Sequence, residues 1–192
     1  MGAEGNGFPA GQSATAAVQA KGAGCVMTVK TSQAGGLSME RATAQDLDRI
    51  LSIEQASFST PWTRKMFEVE LGQNPFGRLY VAWPSGDQGE QSGFIGYVCF
   101  WVVFEEFRLM TLAVEPSARR RGFGRALLRH AMALGRAQGA TRALLEVRAS
   151  NAAALQLYAQ EGFQQGAVRA RYYTHPVEDA VLMERELSAG MV

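Results

Sequence analysis

From residue 37 onward the apolar residues fall into short blocks, and the period of each block predicts its conformation. Leu37–Arg41 reads as a short strand. Thr43 is placed to cap a helix over 44–57, with Leu47, Ile50 and Leu51 at helical spacing. Pro61-Trp62-Thr63 marks a second helix start, and Met66, Phe67 and Leu71 follow on one face. Leu79–Trp83 reads as a strand, and the Gly-, Ser-, Asp- and Gln-rich stretch 84–93 as a hairpin loop. Phe94–Phe104 and Phe107–Val114 are long apolar blocks that predict antiparallel neighbours. A helix is predicted over 122–138, with Phe123, Ala126, Leu127, Ala131 and Leu134 on one stripe and Gly139 as its stop. Ala143–Val147 follows as a buried strand. Ser150 or Asn151 caps a further helix that Gly162 ends, and Phe163–Val168 and Ala180–Glu186 complete the pattern as strands. Strands followed by helix–strand–helix–strand predict a mixed α/β sheet with helices on both faces.

The first 36 residues show no such period. They hold eight Gly and eight Ala and only three charges, Glu4, Lys21 and Lys30. A segment of that composition buries too little apolar area to offset its ordering entropy, which predicts a disordered tail over 1–36 and one domain over 37–192. A second reading makes it an upstream translated segment, with Met27 or Met39 as the working start. It lacks the basic start and apolar core of a secretory signal.

The 192 residues suit one domain rather than two. No apolar run approaches the roughly 18 residues of a membrane span, so no membrane role is expected. The net charge is +1, and the domain alone carries 17 basic and 17 acidic residues. Direct nucleic-acid binding through counterion release is therefore disfavoured, and chemistry must come from local clusters. Cys25 and Cys99 lie too far apart for a paired zinc site, no metal is expected, and a reducing, cytoplasmic setting fits them. Nothing in the sequence fixes an oligomeric state.

One segment carries chemistry: a strand ending at Glu115-Pro116, then Arg119-Arg120-Arg121-Gly122-Phe123-Gly124-Arg125 opening the strongest helix. The first turn of a helix offers unpaired N–H groups and the positive end of the dipole. Glycine lets a phosphate approach the backbone, and Arg119, Arg120, Arg121 and Arg125 add charge. The segment reads as a pyrophosphate cradle. The dinucleotide fingerprint fails because Leu127 occupies the third glycine position, and no Gly-Lys-Ser/Thr is present. The plain alternative is a solvated basic run before an ordinary helix.

Arg119-x-x-Gly122-x-Gly124 resembles the (Gln/Arg)-x-x-Gly-x-(Gly/Ala) signature of the GNAT acetyltransferases, and the resemblance extends over nearly all of 38–187. Within the superfamily the chain is most similar to the RimI branch, which acetylates ribosomal-protein alanine. It shares Ile53-Glu54, Phe58, Pro61-Trp62, Leu145-Glu146-Val147-Arg148-Ala149-Ser150-Asn151, Leu157-Tyr158, Gly162-Phe163, Arg171-Tyr172-Tyr173 and Glu178-Asp179-Ala180. The resemblance implies a mostly antiparallel sheet flanked by helices and acetyl-CoA as acetyl donor. It further implies that Leu112, Ala113 and Val114 bond the pantetheine arm through their backbone. Arg119 to Arg125 would hold the pyrophosphate, Asn151 would contact the cofactor, and Glu146 and Tyr158 would be general base and general acid. Thr111 departs from the asparagine common in the family before the Ala-Val pair. The implied partner is a protein N-terminus, the alanine of the eighteenth small-subunit ribosomal protein. The alternatives are a lysine- or small-amine-directed relative and a non-catalytic acyl-CoA-binding module.

The chemistry of acyl transfer is compatible with these residues. A peptide α-amine has a reference pKa of about 7.7–8.0, so a modest base suffices. Glu146 lies in an otherwise apolar strand, where burial would raise its pKa. An ion pair with Arg148, two residues on and on the same face, is the competing role. Tyr158 follows Asn151 by about two helical turns, so both project to one side of the helix. Its alternative is core packing with Ala154 and Leu155. A backbone N–H near Val114 would polarise the thioester. His130 reads as a boundary histidine and His175 as solvent-facing. Trp62, Glu105, Glu106, Tyr172, Tyr173 and Asp179 are acceptor-groove candidates, the acids attracting a cationic peptide start and the aromatics walling it. Glu105-Glu106 is equally a solvated strand-end pair, and Tyr172-Tyr173 is expected in a polar loop.

Overall fold

The computed structural model describes residues 37–85 and 93–187. The expected tail 1–36, Cys25 and most of the expected 84–93 loop lie outside the described residues. Seven strands form one sheet: β1 (Leu37–Arg41), β2 (Gly77–Pro84), β3 (Gly96–Val103), β4 (Glu106–Val114), β5 (Arg142–Arg148), β6 (Gln164–Thr174) and β7 (Val177–Glu186). The spatial order is β1-β2-β3-β4-β5-β7-β6. Among the described residues only the β4–β5 pair is parallel. Four α-helices complete the fold: α1 (Leu47–Ser57), α2 (Arg64–Gly72), α3 (Phe123–Ala137) and α4 (Ala152–Gln160).

Alternation along the strands divides the core. Ile50, Ile53 and Phe67 of α1 and α2 pack with Leu79, Val81, Tyr97 and Cys99 on one sheet face. Leu127, Leu128, Ala131 and Tyr158 of α3 and α4 pack with Ala82, Val98, Phe100 and Phe107 on the other. Odd and even positions of β2 and β3 thus serve opposite layers, as a period of two requires.

Helix ends follow local chemistry. Thr43 and Asp46 form a capping box at a short 3-10 turn, Ala44–Asp46, which runs into α1. Asn151 caps α4 by accepting a bond from Ala154 N–H at 3.1 Å. Gly139 and Gly162 sit at φ +95° and +83° just past α3 and α4, where a side chain would be strained.

The main departure from the expected pattern is at the carboxyl end. The strand expected to stop at Val168 runs on to Thr174 and forms a hairpin with β7, which begins at Val177. Tyr172 and Tyr173 therefore lie in a strand, not in a loop. The polar composition hides this because β6 is a sheet edge with most residues exposed. Among the described residues no helix is long and apolar enough to cross a membrane.

Candidate active site

The sheet parts at the parallel β4–β5 pair. β4 and β5 are in register from Glu106↔Arg142 to Leu109↔Leu145 and no further. Against β3 the register slips between Cys99↔Thr111 and Phe100↔Leu109, so Met110 is an extra, bulged residue. A bulge bends its strand. Here it turns the end of β4 away from β5, which stays paired to β7 as far as Arg148↔Ala180. The β5-facing edge of Met110–Val114 has no strand partner among the described residues. A row of backbone donors and acceptors is thus presented to a slot, and Leu112, Ala113 and Val114 lie along it.

The first turn of α3 stands at the mouth of that slot. Gly122 takes φ +84° and precedes Phe123, while a Cβ on Gly124 would sit 3.8 Å from Val114 Cγ2 and 3.7 Å from Leu157 Cδ2. The helix start therefore packs on β4 and on α4, and an alanine would fit at Gly124. The arginines divide in their roles. Arg119 donates to Val114 O at 3.0 Å and to Ser57 Oγ at 2.8 Å, tying the end of α1 to the end of β4. Arg125 lies 3.0 Å from the buried carboxylate of Glu161, which Arg129 also engages at 2.7 Å. The Arg125 contact is too misaligned to count as a hydrogen bond, so it is a charge contact only. Both side chains brace the fold, but only Arg125 meets a carboxylate. Arg119, Arg120 and Arg121 have no ion pair among the described residues, and Arg121 lies 5.1 Å over the Phe123 ring. Three of the four arginines at the helix start thus keep an unpaired charge.

Glu146 follows the last β4–β5 pair and stands where the strands part. It is not buried as expected: its side chain keeps 32% exposure. Nor does it pair with Arg148. Arg169 of β6 holds Glu146 Oε1 at 2.8 Å, while Arg148 pairs with Glu178 at 3.2 Å and lies 4.0 Å over the Tyr173 ring. Spacing along β5 could not show this, because the preferred partner reaches over from two strands away.

Tyr172 and Tyr173 lie near this carboxylate, and Tyr158 lies near Tyr173. β6 bulges between Arg169 and Tyr173, where Arg171 takes φ +52° and its N–H donates to Asp179 Oδ1 at 2.7 Å. The bulge brings Tyr172 beside Glu146. Burial and then that carboxylate push the Tyr172 phenol up to about 12. Tyr173 is raised by burial and by Glu146, with Arg148 opposing. Tyr158 is buried in the core and tilts against Phe163 at 5.9 Å, and burial, then Tyr173, push its phenol up to about 12. A phenol so shifted keeps its O–H at neutral pH. Asn151 lies at the N-terminus of the same helix, its Oδ1 already used as the cap.

The remaining acceptor candidates separate. The segment joining α1 and α2 meets the β6–β7 hairpin, as Thr60 Oγ1 donates to His175 O at 3.0 Å. Trp62 in that segment is half-buried against Phe67, and its N–H donates to Glu54 Oε1 at 2.8 Å. Asp179 braces the β6 bulge. Glu105 lies in the turn before β4 and Glu106 begins that strand, roughly 13 Å from the Met110 level where β4 and β5 part, at about 3.3 Å per residue. Glu106 there pairs with Arg108 at 2.6 Å and Arg142 at 2.5 Å.

Sequence reasoning passed over Arg169 and the buried network under the groove. Glu54, 1% exposed, accepts from Tyr97 O–H and Trp62 N–H, and Tyr97 also approaches Thr111 at 3.4 Å. A lone acid on the apolar face of a helix was the available signal. His130 is half-buried edge-on to Tyr80 at 6.0 Å, with its pKa lowered by burial. Among the described residues no three His, Cys, Asp or Glu side chains group as metal ligands.

Comparison with known proteins bears on family and fold. The Acetyltransferase (GNAT) family matches residues 47–163. The chain is 36% identical over 145 residues to the [ribosomal protein bS18]-alanine N-acetyltransferase of Escherichia coli K12, a match covering 74% of this chain and 93% of that protein. The crystal structure of the ribosomal-protein-S18-alanine N-acetyltransferase from Escherichia coli superposes with a TM-score of 0.69 at 32% identity, covering 81% of this chain and 96% of the other. Arabidopsis thaliana NAA60 in complex with acetyl-CoA also gives 0.69, covering 80% of this chain and 99% of the other; at 17% identity that likeness is one of fold.

Proposed function

The chain belongs to the GNAT acetyltransferase family and is an acetyl-CoA-dependent N-acetyltransferase; from that premise we propose that its acceptor is a protein N-terminal α-amine, that of the alanine of ribosomal protein bS18. The observation that carries the reading is the parting of β4 and β5 with Glu146 at the fork. The likeness to enzymes named for that substrate supports the acceptor.

Acetyl-CoA supplies an acetyl group activated as a thioester. Its extended arm fits the open edge of Leu112–Val114, and its diphosphate fits the N–H groups of the first turn of α3 beside Arg120 and Arg121. Asn151 offers its remaining amide N–H groups. The acceptor amine enters between the α1–α2 segment and the β6–β7 hairpin, with Tyr172, Tyr173 and Trp62 along its path. The amine nitrogen forms the new C–N bond as the C–S bond breaks. Glu146 takes the proton that nitrogen releases, directly or through one water. Tyr158 presents its O–H to the departing sulfur. At about 12 it is a weaker acid than a thiol of about 8.5, so it works mainly by hydrogen-bonding the sulfur as charge develops. Solvent then completes protonation of the thiol. Such a reaction has its place in the cytoplasm, where ribosomal proteins and acetyl-CoA meet.

The test is incubation with acetyl-CoA and an equimolar mixture: an Ala-Arg-starting peptide, its N-blocked counterpart with an internal lysine, and a polyamine. Mass spectrometry locates the label. Acetyl on the free alanine amine supports the proposal. Label mainly on lysine or polyamine refutes the acceptor assignment while leaving the family intact.

A further inference from the structure

Arg169 lies outside the cofactor slot, yet it holds the carboxylate proposed as base. We propose that Arg169 is a specificity-determining residue that disfavours the more basic amines, which arrive as ammonium ions, and so selects the α-amine. The inference rests on the α-amine reading above.

The geometry is unusual for a surface ion pair. Arg169 stands on the edge strand β6, opposite Ala180 of β7, which in turn is opposite Arg148 of β5. Glu146 lies two residues before Arg148, on the same face. Arg169 therefore reaches over β7 to Glu146, and the methyl group of Ala180 leaves the way open. Its guanidinium also lies 5.5 Å from the Tyr172 ring centre. Arg148 pairs with Glu178, while Asp179 is held by Arg171 N–H and keeps its charge. The charge at the base itself is set by Arg169 and Glu146 together, and that pair is balanced.

Acceptors differ in how they meet such a seat. With reference pKa values of about 7.7–8.0 and 10.4, an α-amine is about one-tenth neutral at pH 7, and a lysine about one part in 2,500. A bare carboxylate would bind the ammonium form and then accept its proton in place, which suits lysine and polyamines. A carboxylate whose Oε1 is held by a guanidinium gives an ammonium ion a poorer seat and places a like charge beside it. An amine that arrives neutral is favoured, and the α-amine arrives neutral about 250-fold more often.

The experiment compares kcat/KM for the Ala-starting peptide with that for an N-blocked lysine peptide, from pH 6.5 to 9, for the wild type, Arg169→Gln and Arg169→Lys. The expected result is that Arg169→Gln lowers the α-amine-to-lysine ratio at least tenfold, chiefly through a lower KM for the lysine peptide. Arg169→Lys should restore most of the ratio, and acetyl-CoA affinity should be the same in all three. A parallel change for both acceptors in Arg169→Gln, whatever its size, would make Arg169 a structural residue and overturn the inference. A wild type that prefers lysine would instead overturn the α-amine reading, a distinguishable failure.

Discussion

Gly96→Ala tests the placement of the donor slot. Gly96 ends the β3–β4 ladder opposite Val114. A Cβ built on it falls well inside 3.0 Å of Ala113 O and lies 3.1 Å from Val114 Cα. Both neighbours are backbone, so no rotamer change relieves the clash, and the end of β4 must retreat by about 1 Å to reach van der Waals distance. Overpacking of a tight core costs about 1–3 kcal/mol, and a backbone obstacle argues for the upper figure. At roughly 2–4 °C per kcal/mol for a chain of this size, Tm should fall by about 6–12 °C. The same retreat displaces Ala113 and Val114 from the open edge. Losing one or two backbone hydrogen bonds to the donor, each about 1 kcal/mol, should weaken acetyl-CoA binding about five- to thirtyfold. Calorimetric melting and titration with acetyl-CoA measure both. Gly135→Ala is the control: its Cβ meets Phe107 Cδ2 at 2.7 Å in the core between α3 and the sheet. It should lower Tm while leaving acetyl-CoA affinity unchanged. A Gly96→Ala protein that melts low but binds acetyl-CoA like the wild type would refute the assignment of the β4 edge to the donor.

Three further predictions follow from the site and its supports. Tyr158→Phe should lower turnover about ten- to a hundredfold with little change in acetyl-CoA affinity, measured by steady-state kinetics beside equilibrium binding; unchanged turnover removes Tyr158 from the mechanism. Asn151→Ala should cost about 1 kcal/mol in urea unfolding through the lost cap, whereas Asn151→Asp keeps the cap and should lose only cofactor affinity. If both variants bind acetyl-CoA normally, Asn151 is a cap alone. Burial raises the Glu54 carboxyl above its ordinary value, outweighing the hydrogen bonds from Trp62 N–H and Tyr97 O–H. A raised folded pKa gives stability that is present below the unfolded value and lost as pH rises through the folded one. The stability of Glu54→Gln relative to wild type should therefore grow from about pH 4 to pH 7 in urea titrations, and a gap that narrows over that range would contradict the burial argument.

Local sequence determined the element list because its signals act over a few residues. The alternation in β2 and β3, the apolar stripe of α3, the caps at Thr43 and Asn151 and the positive-φ stops at Gly139 and Gly162 each depend on residues within about two turns. Arg119-x-x-Gly122-x-Gly124 likewise marked the start of α3 in one short stretch. What tertiary structure decided was pairing across the sheet. Glu146 met Arg169, 23 positions away, instead of Arg148, because β7 lies between β5 and β6 and brings the edge strand within reach. Arg119 and Arg125 were turned to Ser57 and Glu161 by the packing of α1 and α4, which their own neighbours in sequence do not encode. Glu105 and Glu106 were carried to the far end of β4 by strand direction. Tyr172 and Tyr173 entered a strand because β7 supplied a partner for an otherwise polar edge. A side chain's type and period set which face it takes, but its charge partner depends on which distant strand arrives beside it, and that is settled only when the whole sheet has assembled.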